Sequence, residues 1–278
     1  MTRHLTKFLF LALISIAAAA GVAPQLAVVR FQGDEKGEWT EVFRTAASPF
    51  SPQLSILDPD QVASAIRGIN YSGGLNLSLE EARSLGLSIG CDYFILGKIS
   101  LNRRIVSANQ FYYEASGGLF LVETRSGCLK RFLPLYVSSE LEAKVKAGLS
   151  DALTSGFRSV ALSITSEAAS DTSPPATPGL TIIDTTARTP SGLISPVFYQ
   201  RPKPPYTDQA RRSGVIATVE LEVVFLSDGR VGKVDVIRWA GFGLDESAVT
   251  TVRQLRFKPA ELGGRKVSIL ARVQYNFR

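Results

Sequence analysis

Apolar and polar positions change rhythm several times along the chain. Phe8 to Ala20 is an apolar run without a charge. Leu26 to Phe31, "LAVVRF", is a short apolar run of the kind a buried strand shows. Glu38 to Ala47 suits a helix and Gln53 to Leu57 a second strand. In "LDPDQVASAIRGI", Asp58 can cap a helix N-terminus. Pro59 then falls at the first helical position, where its missing N–H costs nothing. Val62, Ala65, Ile66 and Ile69 form one apolar stripe behind them. Ser78 and Glu81 have capping-box spacing and open another helix, which ends between Gly86 and Gly90. Strands are predicted over 92–99, 110–123 and 129–137, the last two joined by the turn "TRSGC". Leu141, Val145, Leu149, Leu153, Phe157, Val160 and Ile164 recur at helical spacing and predict one long helix over about 138–166.

The rhythm then stops. Residues 167–205 are rich in Ser, Thr, Ala and Pro, a composition that extends rather than packs. Leu180 to Ile183 is an apolar interlude, read either as an edge strand or as part of a linker. From Ala217 the period is two. Val219, Leu221, Val223 and Phe225 share a face, Ser227-Asp228-Gly229 marks a turn, and Val231 to Trp239 alternates again. Leu244, Ala248, Val252 and Leu255 return to helical spacing, with Asp245 and Glu246 where the helix dipole favours acid. In "LRFKPAELGGRKV", Arg256 and Lys258 are read at the helix C-terminus and Gly263-Gly264 as the turn into a last strand, Arg265 to Phe277. The fold class predicted is α+β. An α/β domain of order β-α-β-α-α-β-β-β-α precedes a three-stranded antiparallel sheet with a helix. The boundaries drawn are 1–20 signal peptide, 21–166 α/β domain, 167–198 linker and 199–278 C-terminal domain.

Composition narrows the chemistry. Arg3, His4 and Lys7 precede the apolar run, and Ala18-Ala19-Ala20 offers small residues for cleavage near Ala20. The expected location is the periplasm; the alternative is an inner-membrane anchor, which the run is short to provide. His4 is the single histidine in 278 residues and leaves with the signal. That removes Ser-His and Cys-His nucleophiles and histidine metal sites. No catalytic, cofactor or metal residue is nominated, and an enzyme is not expected. Cys91 and Cys128 either pair in an oxidising compartment or stay buried thiols. From Pro196 onward there are 14 Lys and Arg against 8 Asp and Glu, a basic module that suits an acidic or anionic partner rather than nucleic acid.

The last block resembles the TonB C-terminal domain family. The resemblance rests on "KPPYTDQARRSG", on "VELEVVFLSDGRVGKVDVIR", on "GFGLDESAVTTVRQLRFKPA" and on "GGRKVSILARVQYNF". It covers about 80 residues. Two departures stand out: Thr207 follows Tyr206 where the family has proline, and Trp239-Ala240-Gly241 replaces small polar residues. Residues "LAVVRF", "ILDPDQV", "LGLSIGCDYFILGKI" and "LFLVETRSG" are similar to the α/β module of TolB amino-terminal and CsgG-like envelope proteins. The resemblance implies a partner peptide adding to the final strand as a further strand. The residues expected at that contact are Val267, Ser268, Leu270, Arg272, Gln274 and Asn276, with Tyr206 and Trp239 as flanking aromatic contacts. The partners implied are outer-membrane or other envelope proteins, in energy transduction or transmembrane transport. The rival expectation is a structural envelope protein that binds peptidoglycan or self-associates as a homodimer.

Overall fold

A computed structural model describes residues 23–50, 53–69, 71–107, 110–167 and 181–278. The signal segment and residues 168–180 of the expected linker lie outside the described residues. The architecture is mixed α and β, with two principal sheets.

The first sheet contains β1 (Gln25–Val28), β2 (Ser55–Ile56), β3 (Tyr93–Ser107), β4 (Gln110–Glu123) and β5 (Leu129–Ser139). Its order is β2-β1-β3-β4-β5. The first three strands are parallel and the last two antiparallel. Both faces are covered at β1, the first half of β3 and the second half of β4, which is why those stretches read as nearly continuous apolar runs. Leu26, Val28, Ile95, Ile99, Leu119 and Leu121 face α1 (Glu38–Thr45) and α4 (Glu142–Glu167). On α4 the stripe from Val145 to Ile164 is buried as its spacing requires, whereas Leu141 precedes the helix and is exposed. Phe43 of α1 meets Phe157 of α4 edge to face at 5.1 Å.

The opposite face carries Ala27, Phe94, Leu96, Phe120 and Val122. It packs on α2 (Pro59–Gly68) and α3 (Leu79–Ile89). The Asp58 carboxylate accepts from the N–H groups of Asp60 and Gln61, and the capping box of Ser78 and Glu81 is complete. β3 runs eight residues past Ile99, to Ser107. Both cysteines are free thiols. The end of β4 lies between them: Thr124 N–H donates to Asp92 next to Cys91, while Glu123 pairs with Cys128 on the other side.

The second sheet is larger than the three strands expected. It contains β6 (Ile182–Asp184), β7 (Leu193–Ile194), β9 (Ala217–Phe225), β10 (Val231–Arg238), β12 (Ala260–Leu262) and β13 (Arg265–Phe277). β8 (Val197–Gln200) pairs separately with β11 (Arg256–Lys258). The helices are α5 (Asp208–Arg212) and α6 (Leu244–Arg253). Arg256 and Lys258 are therefore on a strand, not a helix end. Helix α6 stops at Arg253, and Phe257 is drawn into a cluster with Phe198 and Phe225. The apolar interlude before residue 184 does form an edge strand, β6, parallel to β13.

The two sheets share one core. Trp239 and Phe242, from the loop between β10 and α6, lie against Phe120 and Phe132 of β4 and β5. Ring centroids are 5.5 Å apart for Phe120–Trp239 and 4.6 Å for Phe132–Phe242. The Trp239 indole N–H donates to the Gly127 carbonyl at 3.2 Å. Asn76 joins the sheets by its amide, accepting from Thr218 N–H at 2.8 Å and donating to the carbonyls of Thr218 and Trp239. Arg238 reaches Glu81 at 2.9 Å and Glu220 at 3.3 Å. Burial works against the Glu81 carboxylate, but the Ser78 bonds and Arg238 hold it below its ordinary value.

Gly241, Phe242 and Gly243 all adopt left-handed backbone, with φ of 68°, 54° and 73°. A side chain at Gly241 would strike the Phe120 ring, 2.6 Å from an added Cβ. The buried Asp245 carboxylate ties this loop down by accepting from the N–H groups of Ala240 and Gly241, each at 2.8 Å. Burial pushes the Asp245 carboxyl up to about 6, against those two bonds, and Glu246 adds to the rise.

Candidate partner-binding edge

β13 is hydrogen-bonded to β9 from Ile269 to Phe277. Its other side is filled only in part. β12 pairs with Arg265 to Val267, and β6 pairs with Ser268 to Leu270. Thr185 closes the β6 contact by donating both its N–H and its hydroxyl to the Leu270 carbonyl. There the chain turns away. The Asp184 carboxylate accepts from the Thr186 hydroxyl and N–H, bonds that hold it below the ordinary carboxylate range. Among the described residues no strand covers β13 from Ala271 to Phe277 on that side.

This open stretch alternates. Arg272, Gln274 and Asn276 are exposed, while Ala271, Val273 and Tyr275 are half-buried and Phe277 is buried. The half-buried residues line a cleft of about 470 Å³ with Phe198, Phe225 and Leu255. Arg272 at the rim pairs weakly with Glu222 at 3.4 Å, and Arg201 lies over the Phe198 ring at 5.1 Å. Burial raises the Tyr275 hydroxyl above its ordinary value. A sheet edge beside an apolar groove offers backbone donors and acceptors for one strand and a slot for alternate side chains.

The expected contact residues divide. Arg272, Gln274 and Asn276 lie on the open edge. Val267 and Leu270 lie where β12 and β6 already pair. Ser268 is buried, not outward, and its hydroxyl accepts from Ser227 N–H at 3.0 Å. Tyr206 is turned inward: its hydroxyl donates to the Val215 carbonyl and its ring stacks on Phe277. Trp239 is 2% exposed and spent on the joint between the sheets. Position 239 was flagged by its departure from the family pattern, and that departure marks the docking loop rather than a surface for a partner. Phe198 and Arg201 of the groove were missed because they come from the Pro-rich stretch, which carries no period.

Residues 202–278 match the family described as Gram-negative bacterial TonB protein C-terminal. This segment is a TonB C-terminal domain. The solution structure of the TonB C-terminal domain of Pseudomonas aeruginosa is 21% identical, covering 34% of this chain and 91% of that one at a TM-score of 0.27. A hypothetical protein of Chlamydia trachomatis is 13% identical, covering 51% of this chain and 96% of that one at 0.34. The LpoB C-terminal domain of Salmonella enterica is 17% identical, covering 43% and 87% at 0.29. A comparison with the curated proteins finds no match. In the TonB-type domain of this chain, the final strand is β13, and its open edge starts where β6 ends.

Proposed function

We propose that this chain is an exported cell-envelope protein whose TonB-type domain binds a partner protein by strand addition along Ala271–Phe277. The observation that carries this reading is the open edge itself, seven residues long and backed by an apolar cleft. β6 supports it, because this side of β13 already accepts a strand from its own chain. The partner segment would alternate apolar residues, entering beside Phe198 and Tyr275, with polar or acidic residues facing Arg272. Its source would be an outer-membrane or other envelope protein, in energy transduction or transport, and the chain would work in the periplasm after loss of its signal peptide. Function here is binding, not catalysis.

Copurification of the exported chain with envelope proteins tests the proposal. Ala271→Glu places a charge in the groove, and Arg272→Glu reverses the rim; each should lower partner recovery several-fold while the fold persists by circular dichroism. Equal recovery with both variants would rule out this edge. Capture of only a second copy of the chain would replace partner binding by self-association, and retention on isolated sacculi regardless of the variants would favour peptidoglycan binding through the basic surface.

A further inference from the structure

The geometry points to a second, separate binding site: a cleft between α1 and α2 that takes a small amphipathic anion, a carboxylate or phosphate on an apolar body. The first sheet has strand order β2-β1-β3, and its two crossovers pass on opposite faces, α1 on one and α2 with α3 on the other. The chain therefore parts at the carboxyl end of β1, where open α/β sheets form their ligand crevices. A cleft of about 580 Å³ lies there, within the range that holds small ligands.

Its lining is amphipathic. The floor is Val62 and Ile66 of α2 against the end of β1, and the Tyr71 ring forms one wall. Burial pushes the Tyr71 hydroxyl upward, so it stays neutral, and it donates to the Gly74 carbonyl. The rim is cationic. Arg44 is matched by Glu41 at 2.9 Å, and Asp60 is the other acid on the lining. Arg30, Lys36 and Arg67 have no carboxylate partner among the described residues. Arg30 is instead held in place by the backbone carbonyls of Asp34 and Glu35, and Arg67 bonds only the Ser64 hydroxyl. Three unmatched cations around an apolar floor select an anion with a hydrophobic body. A neutral apolar molecule leaves the cations unused, and an inorganic anion leaves the floor unfilled. The cleft belongs to the first sheet and is independent of the β13 edge.

The test is a fluorescence titration of the full exported chain with anilinonaphthalene sulfonate, an anion on an aromatic body. Decanoate and decyl phosphate should displace the probe, and their ranking separates a carboxylate from a phosphate ligand; decanol and inorganic phosphate should not displace it. Lys36→Glu with Arg67→Glu should raise the probe Kd about tenfold or more, the effect of losing charge-assisted contacts. Both side chains are on the surface, so this variant keeps the fold. Ala63→Trp, which fills the cleft without changing charge, should abolish binding at unchanged circular dichroism. Probe binding that survives the charge reversal, or displacement by decanol as strong as by decanoate, overturns the assignment. So does an absence of probe binding to the unaltered chain. Recovery of the envelope partner by Lys36→Glu/Arg67→Glu should be unchanged, which keeps this result separate from that of the β13 edge.

Discussion

Replacing Trp239 by alanine should split the molecule's unfolding. The indole is 2% exposed, lies 5.5 Å from the Phe120 ring and donates to the Gly127 carbonyl. Truncating a buried tryptophan costs about 3–5 kcal/mol. The stranded Gly127 carbonyl and the lost ring pair are part of that cost. With a urea slope of roughly 3 kcal/mol per molar, a loss of about 4 kcal/mol moves the midpoint down by roughly 1.3 M. Because the lost contacts join two sheets, the variant should also lose cooperativity. Trp39, buried on α1, is then the remaining tryptophan and reports on the first sheet alone. Its fluorescence should unfold at a different urea concentration from the far-ultraviolet circular dichroism, whereas the two probes coincide in the unaltered chain. A single coincident transition in Trp239→Ala, within about 0.5 M of the parent midpoint, would show that the shared core is not what couples the sheets.

Three further outcomes follow from the same region and its neighbours. Gly241→Ala combines a left-handed backbone with a collision against Phe120, so it should cost about 2 kcal/mol, or roughly 4–8 °C in a thermal melt; an unchanged melting temperature would refute the tight approach. The Asp245 carboxyl is raised from an ordinary value near 3.8 to about 6, so the folded state holds its proton longer than the unfolded state. Stability should therefore fall by roughly 3 kcal/mol as pH rises from about 4 to about 6, and Asp245→Asn should remove that share of the slope. Burial pushes the Cys91 thiol up to about 11, against its bond with Thr124, so Ellman's reagent at pH 8 should titrate Cys128 in the native chain and Cys91 only after denaturation; a native chain with no free thiol would mean a bridge.

Local signals were legible wherever a short stretch decides its own structure. The Asp58 cap, the Ser78–Glu81 box, the Asp228-Gly229 hairpin and the buried stripe of α4 depend on neighbours within one or two turns, and the pattern exposes them. The α+β class follows from the same periods. What escaped depends on pairing across the chain. The far half of β3, "LNRRIVS", has no alternation and is a strand because β4 lies beside it. Residues 256–258 look like a helix end until β8 supplies a partner. β6 to β8 are too short for any period. The shared core was hidden for a different reason: Phe120 and Phe132 read as the interior of one domain and Trp239 and Phe242 as the loop of another. Only the departure of Trp239-Ala240-Gly241 from the family pattern hinted that the loop has its own work.

Asn76 gives the open edge a mechanical meaning. A strand bonded to β13 would pull on Asn276, whose side chain accepts a hydrogen bond from the Thr218 hydroxyl at 2.9 Å. Thr218 is gripped through its backbone by the amide of Asn76, in the loop between α2 and α3, which pack on the first sheet. A load entering at the edge would thus reach the other half of the molecule through Thr218 and Asn76. A tug on the partner strand would be felt by the whole body at once, rather than being absorbed by a slack joint between its halves.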